Sequence, residues 1–502
     1  MASEATAERV TETSAAGIPA LAWRPVGSAM VALAVVLTVT SGGYGYHRDE
    51  LYFRMLPPAW GDVDQPPFAP AVVRLMSTLV SDEVWAIRVP ATLTAVAAVL
   101  LVALLVRELG GGALAQGLGA WGYGFAAFPL VFGHVMLTTG TDLVAWLAAT
   151  LFVVRAVHRE NPRWWLAAGL VVGLATYNKL LIAMLVVALA VGLMAVGPRR
   201  QPWRWVAAAM AVAAVLAFPA FVYQATHSWP QLSMGSALTA KNGPANRVQM
   251  WPTLLLLLGP VLVPVWVAGW VALLRRPDWR SVRFLGVAFP ALLALSFLSA
   301  GQVYYPLGLL AVLYAAGCVP VAAWLSRPWR RRVVTALVVV NCCVAAVIAL
   351  PLVPVSALGR TPVPGINQVA RDQVGWPAYV AQVAAVRDSL PPGERDGLVV
   401  ITDNYGEAGA IARYGPPLGM PTPLSGQNEL WFVARPPATR AVAIVVGRGA
   451  GTIAGRNATC TVAARLDNGV GVSNEEQRQP VSVCRAARLP WDQVWPQFAH
   501  LD

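Results

Sequence analysis

Two adjacent carboxylates open a long polar loop of this 502-residue chain. The segment 44–53, YGYHRDELYF, sets Asp49 and Glu50 just past the end of an apolar run. Carboxylates at such an edge can act as a general base toward a substrate hydroxyl, or can orient an acceptor or a cation. Flanked by His47, Arg48 and Arg54, they can equally form a solvated interfacial cluster. TTGTD at 138–142 sets Asp142 at the mouth of another apolar run, where an ionisable group is costly and tends to be functional, capping of the helix being the competing use. TYNKLL at 176–181 holds Lys179 between two apolar runs, either snorkelling to the interface or supplying a point charge for a phosphate. THSWP at 226–230 carries His227, and GQVYYPLG at 301–308 carries Gln302, Tyr304 and Tyr305. Tyrosines at that level are commonly interfacial-belt residues, and a lone histidine is commonly a satisfied polar group.

The elements that must position these residues are membrane helices. Hydrophobic residues make up 57% of the chain and charged ones only 12%, against about 25% in an ordinary soluble domain, which excludes a soluble enzyme as the whole answer. The net charge of +12 is too dilute in so apolar a chain to form a nucleic-acid-binding surface. The first 24 residues read as a disordered cytoplasmic tail, without the basic start and short cleavable apolar core of a signal peptide. Runs able to cross a bilayer lie near 25–42, 84–106, 112–131, 141–157, 164–177, 180–197, 204–225, 251–274, 283–300, 305–325 and 333–355. With the N-terminus inside, the inner turns of these eleven spans hold 15 arginines in 35 residues, whereas the longer outer segments hold six basic residues. Only two lysines, Lys179 and Lys241, stand against 35 arginines, and both fall on the outer side, as do Asp49, Glu50, Asp142 and Arg247.

From about residue 356 charge rises and short β-like runs, LVVIT at 398–402 and AVAIVV at 441–446, alternate with helical stretches such as 376–390. The expected organisation is a tail at 1–24, a membrane domain at 25–355 and an extracytoplasmic α/β domain at 356–502. Cys460 and Cys484 both fall in that last domain, where a disulfide can form, and no cysteine or histidine spacing indicates a zinc site. In GDVDQPPFAP at 61–70, Asp62 and Asp64 form a D-x-D pair of the kind that binds metal and nucleotide sugar in soluble enzymes. The outward-facing loop argues against that use, and Asp64 ahead of Pro66 and Pro67 is suited to capping a short interfacial helix.

Taken in order, HRDELYF, VDQPPFAP, RELGGG at 107–112, TTGTD, YNK, HSWP and QVYYP resemble bacterial members of glycosyltransferase family 39, which includes protein O-mannosyltransferases and lipid A aminoarabinose transferases. NYGEAGAIARYG at 404–415 and LSGQNELWFV at 424–433 extend the resemblance, which spans most of residues 40–435. It implies a GT-C membrane fold and a sugar donor carried on polyprenyl phosphate, used on the outer face of the cytoplasmic membrane. By the same resemblance Asp49 is the general base that deprotonates an acceptor hydroxyl, and Glu50 orients that acceptor. Lys179, with Arg54 or Arg247, holds the departing lipid phosphate. Asp142, His227, Gln302, Tyr304 and Tyr305 line the substrate. Inversion at the anomeric carbon follows from one direct displacement. No cofactor is obligatory and a divalent metal is not expected. Expected partners are membrane lipid, the polyprenyl-phosphate sugar and an envelope acceptor. Two departures bear on the acceptor contacts: His47-Arg48 precedes the acids, and Gln427-Asn428 replaces the commoner histidine–asparagine form.

A transporter or flippase of a lipid-linked or polar substrate is the competing class. It calls for charges near the midplane of several spans and for internal repeats, whereas here the ionisable groups cluster at one edge. A non-catalytic lipid-binding subunit is a third class, and would tolerate loss of Asp49, Glu50 and Lys179 together.

Overall fold

The computed structural model describes residues 17–437, 441–454, 458–486 and 491–502. Most of the expected tail, 1–16, lies outside the described residues. Fifteen helices build the first part of the chain: α1 (Trp23–Thr40), α2 (Arg48–Met55), α3 (Phe68–Leu79), α4 (Val84–Glu108), α5 (Ala113–Gly124), α6 (Ala127–His134), α7 (Thr138–His158), α8 (Arg163–Ala175), α9 (Ile182–Val196), α10 (Trp203–Thr226), α11 (Pro230–Leu256), α12 (Val263–Arg275), α13 (Phe284–Leu298), α14 (Leu307–Trp324) and α15 (Pro328–Ala349).

Each apolar run read from the sequence falls on helix, but not each on a single spanning one. Among the described residues, α1, α4, α7, α10, α14 and α15 are long and apolar enough to cross a membrane. A seventh candidate is the pair formed by α11 and the stretch Pro260–Arg275, bent by 74°. The apolar helices α8, α9 and α13 are shorter. The chain is thus a multi-pass membrane protein. Two expectations are corrected. The run 112–131 is broken after Gly124, because Pro129 sits in the first turn of α6, where its missing N–H leaves no helix bond unmade. The segment 226–250, expected as a loop, is mostly helix: Pro230 at the start of α11 has a pre-set φ suited to a first turn.

Burial separates inner helices from lipid-facing ones. The apolar windows of α7 and α14 are each 67% buried, whereas that of α10 is 11% buried. α14 packs on α12 so closely that a Cβ on Gly317 would meet the Val265 carbonyl oxygen at 1.8 Å, and one on Gly269 the Leu313 oxygen at 1.9 Å. Small residues at such crossings let the backbones touch, which is how helices gain packing energy where lipid removes the hydrophobic drive. At the far end of α4, fully buried Glu108 clamps α7 by accepting from Arg155 at 2.9 Å and Arg159 at 2.8 Å.

Beyond α15 come three short helices, α16 (Val355–Leu358), α17 (Val363–Ile366) and α18 (Gln368–Arg371), and then a small α/β domain. It contains α19 (Trp376–Asp388), α20 (Pro392–Arg395), β1 (Val399–Thr402), α21 (Tyr405–Tyr414), β2 (Leu424–Ser425), β3 (Val442–Val446), β4 (Thr459–Arg465) and β5 (Pro480–Arg485). The sheet order is β2-β1-β3-β5-β4. The two apolar runs read as strands are the parallel neighbours β1 and β3, with Val400 opposite Ile444. Their unbroken apolar sequence suits strands covered on both faces. Cys460 and Cys484 face each other across β4 and β5 and are joined by a disulfide.

Replacing Gly317 by Leu is expected to force α12 and α14 apart and to cost about 1–3 kcal/mol, as overpacking does. A thermal melt of the detergent-solubilised protein reads this as a lowered midpoint, and an unchanged midpoint would show the crossing to be looser than described.

Candidate active site

The local sequence already builds the helix that carries the acids. His47 caps α2, its Nδ1 accepting from the Asp49 backbone N–H at 3.1 Å, and the Glu50 carboxylate reaches back to the His47 N–H at 2.8 Å. This reciprocal capping satisfies two of the free N–H groups at the helix start. It also consumes Glu50. Its side chain is wholly buried, receives Arg88 Nε at 2.9 Å and Nη2 at 3.0 Å, and accepts from the Met136 backbone N–H at 2.9 Å. Arg88 itself also donates to the carbonyls of Ser41 and Gly45 and, at 3.0 Å, to Gln373. The Glu50 carboxylate, expected to orient an acceptor, is thus placed away from solvent and occupied by donors from the protein itself.

Asp49, one residue earlier, faces the other way and is part-exposed. Its Oδ1 accepts from the Tyr405 hydroxyl at 2.9 Å, a contact between residues 356 positions apart. Tyr405 stacks on Tyr52 with centroids 4.6 Å apart. The Tyr52 hydroxyl donates to Asp64 Oδ1 at 2.9 Å, and Asn428 Nδ2 reaches Asp64 Oδ2 at 3.4 Å. Asp64 therefore does not cap α3, whose N-cap is Pro67 without a side-chain bond. It joins a cluster with Asp62 and Glu429, the latter accepting from the Val63 N–H at 2.9 Å. Burial, reinforced by the neighbouring Asp64 and Glu429, pushes the Asp62 carboxyl up to about 8. Asp64 is pushed up to about 7, again chiefly by burial. Tyr223 and His227 face this cluster, the exposed imidazole stacked on the Tyr223 ring at 4.2 Å. A cavity of about 350 Å³ opens beside Asp62, between Leu56–Pro58 and Arg74 of α3.

A second centre forms around Lys179. Its Nζ donates to the Tyr304 hydroxyl at 3.3 Å and lies 5.3 Å and 5.4 Å from the ring centroids of Tyr304 and Tyr305. Asp142, buried inside α7 and not at its cap, is close enough to interact with the ammonium. Gln302 stands in the same turn, its carbonyl accepting from the Tyr305 N–H at 3.0 Å. Asn178 donates to the Thr138 carbonyl at 2.9 Å, which ties the lysine turn to the start of α7. The Phe68 N–H donates to the Tyr177 carbonyl at 2.9 Å, tying that turn in its own right to the loop that carries Asp64.

Neither arginine expected beside Lys179 is placed there. Arg54 is paired with Asp82, its Nε 2.7 Å from Oδ1, and lies over the Tyr46 ring. Arg247 donates to the Phe297 carbonyl at 3.1 Å at the end of α13. Lys241 pairs with the Asp502 carboxylate. Among the described residues no group of three or more His, Cys, Asp or Glu side chains is placed to hold a metal ion. The residues that sequence reasoning missed are Tyr52 and Tyr405. The second lay inside the quoted NYGEAGAIARYG, but nothing local ties it to a loop so far upstream.

Residues 64–223 match the family model described as dolichyl-phosphate-mannose-protein mannosyltransferase. No curated protein matches the chain in sequence. In structure the chain is similar to ArnT from Cupriavidus metallidurans bound to undecaprenyl phosphate, at 17% identity and a TM-score of 0.60, over 91% of this chain and 97% of that one. It is also similar to the arabinofuranosyltransferase AftD from Mycobacteria, at 13% identity and a TM-score of 0.52, over 93% of this chain and 40% of that one. The likeness to these two structures shows that the chain shares their fold, the GT-C membrane fold expected from the sequence.

Two predictions follow from the geometry. Breaking the Glu50–Arg88 pair by Arg88→Met leaves a buried carboxylate unpaired, at a cost of about 3–5 kcal/mol. A large drop in melting temperature and in membrane abundance is expected, whereas Asp49→Asn leaves both near wild type; equal melting of all three proteins would contradict the assignment. Asp62 keeps its proton in the folded state up to about 8 but loses it near 4 when unfolded, so its burial costs stability progressively as pH rises through that window. Asp62→Asn should therefore gain in melting temperature over wild type between pH 5 and pH 8, and parallel curves would refute this.

Proposed function

We propose that the protein transfers a sugar from a polyprenyl-phosphate carrier to a hydroxyl of a cell-envelope acceptor, on the outer face of the cytoplasmic membrane. The observation that carries this reading is that one fold holds both a part-exposed carboxylate, Asp49, and a buried ammonium, Lys179, set among tyrosines. Undecaprenyl phosphate is bound by the similar ArnT structure, and a lipid phosphate is the group that a buried lysine and phenol donors suit.

In this reading the Asp49 carboxylate accepts the proton of the acceptor hydroxyl as that oxygen attacks the anomeric carbon. The bond from that carbon to the phosphate oxygen breaks in the same displacement, and the configuration inverts. Charge then accumulates on the departing phosphate, where the Lys179 ammonium and the Tyr304 hydroxyl stabilise it without reorganising. Asp142 holds the ammonium in place. Tyr305 and Gln302 shape the same wall, and His227 stands at the mouth of the acid cluster. Arg54 and Arg247, held by other partners, lie outside this set. The N-terminus is placed inside and the C-terminal domain outside, in line with the crowding of arginines into the inner turns.

Two variants separate the steps. Asp49→Asn is expected to lower transfer in isolated membranes more than a hundredfold while binding of undecaprenyl phosphate by the purified protein stays unchanged. Lys179→Ala is expected to weaken that binding about tenfold and to lower transfer with it. Full transfer by Asp49→Asn would remove the base, and wild-type affinity in Lys179→Ala would remove the phosphate site. Retained export of a lipid-linked sugar without any transfer would favour the transporter reading instead.

A further inference from the structure

The membrane part of the chain supplies Asp49, yet its carboxylate is held from the C-terminal domain. Tyr405 is the first residue of α21, directly after the capping residue Asn404. Its position is fixed from several sides. The Asn404 side chain accepts from the Glu407 N–H at 2.9 Å, and Glu407 returns a carboxylate oxygen to the Asp403 and Asn404 N–H groups at 3.0 Å and 3.3 Å. The Tyr405 N–H donates to Gln427 Oε1 at 2.7 Å. Behind the ring, α21 lies against α2 so closely that a Cβ on Gly409 would meet the Leu51 side chain at 2.6 Å. The ring is clamped between Tyr52 on one side and the Arg48 guanidinium, 4.9 Å from its centroid. Arg48 is itself paired with Glu475 of the C-terminal domain.

A phenol held so firmly has one use for its hydroxyl, the 2.9 Å bond to Asp49 Oδ1. Burial, with the Asp49 charge beside it, keeps that phenol well above its ordinary value, so it stays a donor. Among the described residues, Oδ2 of Asp49 receives no hydrogen bond.

We propose that Tyr405 is a positioning residue for the reaction, through which the C-terminal domain completes the active site: its hydroxyl fixes Asp49 Oδ1 and thereby turns Oδ2 toward the acceptor hydroxyl. Gln427 acts one step further back by fixing the Tyr405 backbone. The inference rests on Asp49 being the base. It adds that the base works at full rate only while the C-terminal domain is docked on α2. The chemical step depends on Tyr405, and capture of the lipid phosphate at Lys179 does not.

The test uses the full chain. Tyr405→Phe keeps the ring, its stacking on Tyr52 and its contact with Arg48, and removes only the hydroxyl. Wild type, Tyr405→Phe and Asp49→Asn are each returned to a deletion strain. The envelope product that disappears on deletion and returns with wild type is quantified by mass spectrometry per molecule of protein. The purified proteins are compared for melting temperature and for affinity toward undecaprenyl phosphate. The expected result is a product rate about tenfold lower in Tyr405→Phe, with melting and affinity unchanged, and no product in Asp49→Asn. A wild-type rate in Tyr405→Phe beside an inactive Asp49→Asn overturns the role of Tyr405 and leaves the base standing. A loss that tracks lowered melting or lowered lipid affinity makes the hydroxyl structural and overturns the proposal as well. A fully active Asp49→Asn, or a wild type with no such product, removes the reading on which it rests.

Discussion

The buried ion pair between Glu50 and Arg88 is the constraint on which the arrangement depends. Desolvating two charges is costly, and the cost is recovered only if every polar atom finds a partner. Here nearly every donor is used on a different segment: Arg88 reaches the carbonyls after α1, the carboxylate of α2 and Gln373 beyond α18, while Glu50 also takes the N–H of Met136 just before α7. One pair, with α4 that carries Arg88, therefore fixes the relation of five segments at once. Asp49, adjacent in sequence, inherits a defined direction because its neighbour cannot move.

This division of labour explains why adjacent acids differ so sharply. Glu50 is wholly enclosed and saturated with donors, whereas Asp49 keeps one hydrogen bond and partial exposure. The nearby acids take a third course. Among the described residues Asp62 forms no ion pair, and burial shifts it toward its neutral form, which turns a potential repulsive cluster beside Asp64 and Glu429 into one that can persist at neutral pH. The Lys179 ammonium stands apart from them, framed by aromatic rings and Asp142. The acid cluster and the lysine turn are linked by the backbone bond from the Phe68 N–H to the Tyr177 carbonyl, and the Asn178 side chain ties the lysine turn to the start of α7.

Much of this was legible in the sequence where the cause is local. The apolar runs and the strands LVVIT and AVAIVV need only neighbours a few residues away. Lys179 stood out because lysine is so scarce. What could not be read are pairings across long separations. Arg54 looked free until Asp82 claimed it, Glu50 looked like a partner of Asp49 until Arg88 enclosed it, and Tyr405 lies 356 positions from the carboxylate it touches. Residues 226–250 read in sequence as an outer segment between spans, yet α11 runs from Pro230 through them to Leu256, and a helix with an exposed face tolerates Lys241, Asn242 and Arg247.

The most direct measurement is a structure of the protein with undecaprenyl phosphate bound. The phosphate is predicted to sit about 3–4 Å from Lys179 Nζ and the Tyr304 hydroxyl, with Asp49 facing the site across the gap an anomeric carbon and an acceptor oxygen would fill. A phosphate held instead at Arg247 or among the inner-turn arginines, with Lys179 and Tyr304 unengaged, would contradict it.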